Sequence, residues 1–236
     1  VLRLDPRPYR GNVWRMIEGQ YRPSTARIVD TNEEQRILEE ILEDTKPPVP
    51  EPCRHLDWPF RSPFRYGCYP GPSRFRRAGR TPGVFYSSEH SITALIETTW
   101  GRVQTLLASP GTPWPRAAIE HTAICADINV EKSIDLMMQP LASQGNWLDP
   151  ADYFECLDIA DMAHTEGVEA IRYQSVRDPQ GRANVAVLTC GAFAQPAPVR
   201  QETWKVLMSP SLIRAYCETL RQDHQYAVGE QALELA

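Results

Sequence analysis

Gly83-Val-Phe-Tyr-Ser-Ser-Glu-His-Ser-Ile-Thr-Ala-Leu-Ile-Glu97, running on to Thr105, is the stretch that decides the fold class. Gly83 to Tyr86 is a short apolar run after a Pro-Gly turn and predicts a strand. Ser91 to Thr105 carries Ile92, Leu95, Ile96 and Val103 on or near one face and predicts a helix. Toward the C-terminus, Ala117 to Ile128 predicts a strand with Ile119, Ile124 and Ile128 as its large apolar residues. Pro150 to Glu166 predicts a helix, with Asp149 as a candidate cap and Gly167 as its stop. Val168 to Tyr173 and Asn184 to Cys190 predict two strands joined by the polar loop Asp178 to Arg182. Gln201 to Leu207 predicts a further strand and Ser211 to Arg221 a last helix. Strands and helices alternate without the regular βαβ beat of a doubly wound sheet, so the class expected is α+β.

Toward the N-terminus, Thr31-Asn-Glu-Glu34 has the form of a capping box. Ile37, Leu38, Ile41 and Leu42 follow at amphipathic spacing, and the helix should end before Lys46-Pro47-Pro48. Pro47 to Pro52 cannot continue a helix and reads as an extended linker. Residues 1–52 are therefore expected as an N-terminal extension with one helix, packed on a main domain of residues 53–236. No internal repeat or low-complexity tract interrupts the chain.

The chain has 236 residues and a formal net charge of −5. That size can bury a real core, and that charge argues against a general nucleic-acid binder. No apolar run is long enough to span a bilayer. The start, Val1 to Arg10, lacks the apolar core of a secretory signal, so the cytoplasm is the default expectation. The six cysteines are scattered without a Cys-x-x-Cys pair and read as structural thiols, ahead of a disulfide or a zinc site. The five histidines show no metal spacing, and no metal is expected.

Three local signals carry possible chemistry. Between Asp57 and Glu89 there is no acidic residue, yet there are six arginines: Arg61, Arg65, Arg74, Arg76, Arg77 and Arg80. Aromatic residues are interleaved with them. Guanidinium forks and ring faces suit a ligand with a diphosphate and flat bases, although the composition equally suits a basic surface. Glu97 sits among Ala94, Leu95 and Ile96, at the edge of a helix face expected to be buried, where a carboxylate is costly unless paired or functional. A solvated glutamate is the plain alternative. Tyr173-Gln-Ser-Val-Arg-Asp178 ends a predicted strand, where a turn or a ligand-binding loop mouth would both fit. Phosphate-loop, dinucleotide-fingerprint, serine-elbow and His-Glu-x-x-His motifs are absent.

Taken in order, these segments resemble the RES-domain family, the NAD-degrading toxins of bacterial RES–Xre toxin–antitoxin pairs. The resemblance runs from about Phe64 to Trp204, with weaker similarity at Trp14-Arg15. It rests on Pro63-Phe-Arg-Tyr66, Ser73-Arg-Phe-Arg-Arg-Ala-Gly79, Gly83-Val-Phe-Tyr86, Ala94-Leu-Ile-Glu97 and Ile171-Arg-Tyr-Gln-Ser-Val-Arg177. The resemblance implies an ADP-ribosyltransferase-like split β-structure with surrounding helices. It implies cleavage of the nicotinamide–ribose bond of NAD, by water or by phosphate, with NAD as substrate and no cofactor. By motif position the catalytic residues fall on Arg74, Glu97 and Ser175, and substrate-binding residues on Arg65, Tyr66 and Tyr86. In these roles Glu97 would stabilise the developing ribosyl cation, Arg74 and Arg65 would clamp the diphosphate, Tyr86 and Tyr66 would pack near nicotinamide and its ribose, and Ser175 would bond a phosphate or ribose oxygen. The family often has Gly-Gly-Arg-Trp-Asn where this chain has Pro72-Ser-Arg-Phe-Arg76, so Arg76 or Arg77 sharing the role of Arg74 stays open. A DNA-binding antitoxin is the implied partner, and residues 1–52 are a candidate for homodimer contacts. Two other readings stay open: an ADP-ribosyltransferase acting on a macromolecule, and a non-catalytic NAD-binding module. Leu95, two residues before Glu97, stands where many such transferases carry a second acid.

Overall fold

The computed structural model describes residues 3–18, 29–230 and 232–235. Among them the elements are β1 (Arg7–Glu18), α1 (Asn32–Asp44), α2 (Trp58–Arg65), β2 (Phe85–Ser88), α3 (Ser91–Leu107), β3 (Ile119–Asp135), α4 (Phe154–Thr165), β4 (Ala170–Gln174), β5 (Ala183–Val187), β6 (Arg200–Met208), β7 (Leu212–Cys217), β8 (Gln222–Val228) and β9 (Leu233–Leu235). The architecture is mixed α and β, with helices around one nine-stranded sheet of order β1-β2-β5-β4-β3-β6-β7-β8-β9 and an added β1–β3 pairing.

Two antiparallel sets make up that sheet. β1 pairs with β3 along its length, from Arg7↔Ser133 to Glu18↔His121, and β6, β7, β8 and β9 follow in a meander. β2, β5 and β4 form the second set. The sets join where β3 meets β4, in parallel, at residues 133–135, and again where β1 meets β2, antiparallel, at the single pair Trp14↔Ser88. Strands that touch at one pair and then diverge leave an opening, and the cleft described below lies there.

Strand β1 falls within residues 1–52. The segment read as an extension with one helix thus also supplies a strand to the central sheet. The capping box of α1 forms as expected: the Thr31 hydroxyl accepts from Glu34 N–H, and the Glu34 carboxylate accepts from Thr31 N–H. The apolar side of α1 is left largely uncovered, however: Ile37, Ile41 and Leu42 are exposed, Leu38 is half-buried, and none of its residues is fully buried.

The helix expected over Ser211 to Arg221 is instead the strand β7. Its burial alternates, with Ile213, Ala215 and Cys217 inward. Hydrogen bonding to β6 and β8 on either side outweighs the local helical spacing of Leu212 and Tyr216. Helix α4 starts later than expected, at Phe154. The Asp149 carboxylate instead accepts from Ala151 and Asp152 N–H in a preceding turn. Helix α2 was not expected, since Pro59 and Pro63 both break helical propensity; burial of Phe60 and Phe64 holds it. The chain then passes so close to its end that a Cβ on Gly83 would lie 1.6 Å from Pro63 O. Only glycine fits that crossing.

Cys53 and Cys190 are joined by a disulfide, with Cα atoms 5.2 Å apart, against the expectation of thiols throughout. The fold brings together two short 3₁₀ turns, Glu51–Cys53 and Cys190–Ala192, that lie far apart in sequence. The remaining cysteines are free, and Cys125, Cys156 and Cys217 are buried as structural thiols. Among the described residues no helix is long and apolar enough to cross a membrane, and no cluster of His, Cys, Asp or Glu could hold a metal.

Candidate active site

A cleft of about 500 Å³ opens between β1, β2 and α3, within the size range of small-molecule sites. Its charged lining is one carboxylate, Glu97, facing three guanidinium groups, Arg15, Arg74 and Arg177. Trp14, Tyr86, Tyr153 and Tyr173 supply ring surfaces.

Glu97 comes from α3. At helical spacing Thr93, Glu97 and Trp100 share one row, and that row docks on the turn after β4. The Thr93 hydroxyl donates to Asp178 Oδ2 (2.7 Å), Ser175 Oγ donates to Glu97 Oε1 (2.7 Å), and Arg177 lies 5.2 Å over the Trp100 ring. Ser175 is 1% exposed and accepts from Arg177 and Asp178 N–H. With its lone pairs so used, the hydroxyl proton is directed at Glu97. Oε1 of Glu97 also accepts from Asn184 Nδ2 (2.6 Å), and the Asn184 carbonyl oxygen accepts from Ser88 Oγ (2.6 Å). The amide is thereby oriented, with both of its ends assigned. Ser88, Asn184 and Tyr173 sit opposite one another across β2, β5 and β4. One carboxylate oxygen is fixed by two donors from this row and the neighbouring turn, and the other is left for the cleft.

Burial, and then the nearby Glu97 charge, hold the Tyr173 phenol well above its ordinary range, so it stays protonated. Burial also raises Tyr86, against the pull of two hydrogen bonds. Its hydroxyl meets Ser73 Oγ (2.8 Å) and accepts from Phe75 N–H (3.0 Å). Tyr86 thus offers a ring face to the cleft while its polar end fixes the turn carrying Arg74.

The expected site residues separate into two groups. Glu97, Arg74 and Tyr86 line the cleft, and Ser175 stands directly behind Glu97. Arg65 and Tyr66 are not brought there. Arg65 donates to Pro47 O and to Glu43 of α1, and Tyr66 is exposed beside it. Arg74 is buried and largely occupied: Nη1 donates to Trp147 O (2.8 Å), Nη2 to Asp149 O (3.0 Å), and its plane lies over Tyr153. It clasps the 147–153 loop at the cleft wall. Arg76 lies over Tyr69, and Arg77 is paired with Asp158 and Asp161 on α4.

Sequence reasoning left Arg15, Asn184 and Ser88 out of the site. Arg15 is the most telling. It lies on β1 beside the Trp14↔Ser88 junction, 5.0 Å over the Phe85 ring, and its Nη1 is buried without a hydrogen-bond partner. Burial pushes its pKa down to about 10. A guanidinium held in this way is a waiting donor for an anion. The one signal in the sequence was the weak likeness at Trp14-Arg15.

No curated protein is matched. Among solved structures, the crystal structure of the M. tuberculosis MbcT–MbcA toxin–antitoxin complex is similar at 11% identity and a TM-score of 0.46, covering 83% of this chain and 85% of that one. The model of the RES domain matches residues 49–208, a span that holds Arg74, Tyr86, Glu97, Ser175 and Asn184. With more than half of its length matched, this chain belongs to the RES domain family.

Proposed function

We propose that the chain binds NAD in this cleft and cleaves its nicotinamide–ribose bond, as the toxin of a toxin–antitoxin pair with an ADP-ribosyltransferase-like fold. The observation that carries the reading is the single carboxylate, Glu97, held at one oxygen by Ser175 and Asn184 and set in a cleft whose other charged groups are arginines and whose walls carry ring surfaces.

The chemistry needs little more. Nicotinamide carries positive charge while attached to ribose and leaves neutral, so no general acid has to protonate it, unlike an ordinary glycosidase with its two carboxylates. Positive charge grows on the ribose as the bond breaks. The free oxygen of Glu97 stabilises that charge, and it costs no reorganisation because Ser175 and Asn184 have fixed the group beforehand. Arg15 takes the diphosphate with donors that nothing else uses, while Arg74 holds the wall on which the substrate lies. The faces of Tyr86 and Tyr153 suit a flat base. Leu95 is fully buried, so no second acid orients a macromolecular acceptor, and this favours water or phosphate over a protein or nucleic-acid target. The partner in the cell is a cognate antitoxin.

The test is to incubate the purified protein with NAD, with and without inorganic phosphate, following nicotinamide and the ribosyl product by mass. ADP-ribose or its 1″-phosphate supports the reading and names the acceptor. NAD that stays intact in both buffers overturns it.

A further inference from the structure

α1 turns its apolar side away from the protein. Ile37, Ile41 and Leu42 are 44%, 54% and 43% exposed, Leu38 beside them is half-buried, and no residue of the helix is fully buried. Its tie to the domain runs through Arg65 at the end of α2, which is nearly buried and donates to Glu43 and to Pro47 O. At about 100° per residue, Glu43 lies about 200° round the helix from Ile41. The side that meets α2 is therefore opposite the apolar stripe, and the domain leaves most of that stripe uncovered.

A helix of this length is marginal alone, and most helical stability comes from packing an apolar face. Here that face is presented outward on a helix fixed in place by its capping box and by Arg65. The flanks are acidic. Between Asn32 and Asp44 there are Glu33, Glu34, Glu39, Glu40, Glu43 and Asp44 against the single cation Arg36, which bridges Glu33 and Glu40 and leaves the helix with a net negative charge. By helical spacing Glu33, Glu40 and Asp44 run along one edge of the stripe and Glu39 along the other. A second copy of the chain would set these acidic edges against each other, which like-charge repulsion disfavours.

We propose that the outward face of α1 docks a basic amphipathic helix of a partner protein. Apolar residues of that helix would seat on Ile37, Ile41 and Leu42, as in helix-on-groove recognition. Its lysines or arginines would meet Asp44, and would share Glu33 and Glu40 with Arg36. This surface lies apart from the cleft, and the inference does not depend on what the cleft binds.

The test uses the full chain and two labelled 18-residue helical probes with the same leucine face, one carrying lysine on its polar positions and the other glutamate. Fluorescence anisotropy reads binding, and sedimentation velocity reads the state of the chain alone. The expected result is that the lysine probe binds and the glutamate probe binds at least about tenfold more weakly. Replacing apolar anchors, Ile37→Gln with Ile41→Gln, should also weaken the lysine probe about tenfold. The pair Glu33→Gln and Glu40→Gln should remove most of the salt sensitivity of binding. All variants should keep the cooperative thermal unfolding of the unaltered chain, since no residue of α1 is in the core. Equal binding of both probes, binding of neither, or self-association of the chain abolished by the isoleucine pair would each overturn the proposal.

Discussion

Replacing Arg15 by methionine should make the protein more stable and poorer at holding NAD. Burial lowers the guanidinium to about 10, and at about 1.4 kcal/mol per pH unit that drop corresponds to at most about 3 kcal/mol of unfavourable desolvation. Contact with the Phe85 ring returns about 0.5–2 kcal/mol of that. Methionine fills similar space without a charge, so the net gain should be about 1–2 kcal/mol, or about 2–8 °C in melting temperature for a chain of this size. The sign has a pH signature. Below about pH 10 the side chain is charged in both folded and unfolded states and the cost is fully present. As pH rises above about 10 the folded protein releases the proton before the unfolded chain does, the cost fades, and the advantage of the variant should shrink. Binding should move the other way. Losing charge-assisted hydrogen bonds to a diphosphate costs about 1.5–3 kcal/mol, or about 10- to 150-fold in affinity. Thermal melts and calorimetric titration with NAD read the two effects separately. A variant that is less stable and binds NAD unchanged would refute the view of Arg15 as a waiting anion donor.

Arg74→Ala should act mainly through stability, because it strands the carbonyls of Trp147 and Asp149; a loss of about 2–4 kcal/mol in urea unfolding is expected. Its NAD affinity should fall less than that of Arg15→Met. Asn184→Leu should lower kcat about 10- to 100-fold while NAD affinity stays within about threefold, since it frees a carboxylate oxygen that had been fixed beforehand; equal losses in both would contradict the orienting role. Burial works to raise Asp178, but hydrogen bonds from Arg182, Gln180 N–H and Thr93 prevail and hold it below its usual 3.8. Its stabilisation is therefore present above about pH 4 and lost as pH falls through the lowered folded value. Asp178→Asn should cost stability at pH 7 and progressively less below about pH 3, which urea titrations across pH would reveal.

Strong local periodicity made β2, α3 and the α1 cap legible in the sequence, because the deciding interactions lie within a few residues. β7 was misread because Leu212, Ile213 and Tyr216 fit a helix as well as a strand, and the choice is made by β6 and β8. β1 was missed for a related reason, its fit being set by β3, more than a hundred residues away. Within the site, Glu97 was visible from its apolar surroundings and from the family resemblance. What surrounds it was not, since Asn184 and Ser88 become its support only through the register of β2 and β5. Arg65 and Arg15 are one residue type in unlike settings. Local motif order drew Arg65 toward the cleft, yet the fold assigns it to α1, while Arg15 gains its meaning from the gap between β1 and β2.

The central claim is that Glu97 acts on the reacting ribose and not on binding. The direct measurement compares Glu97→Gln with the unaltered protein for NAD affinity by calorimetry and for nicotinamide release in single turnover. Affinity within a few-fold, with release slowed about 10²- to 10³-fold or more, is the predicted result. Near-normal release from the glutamine variant would contradict it.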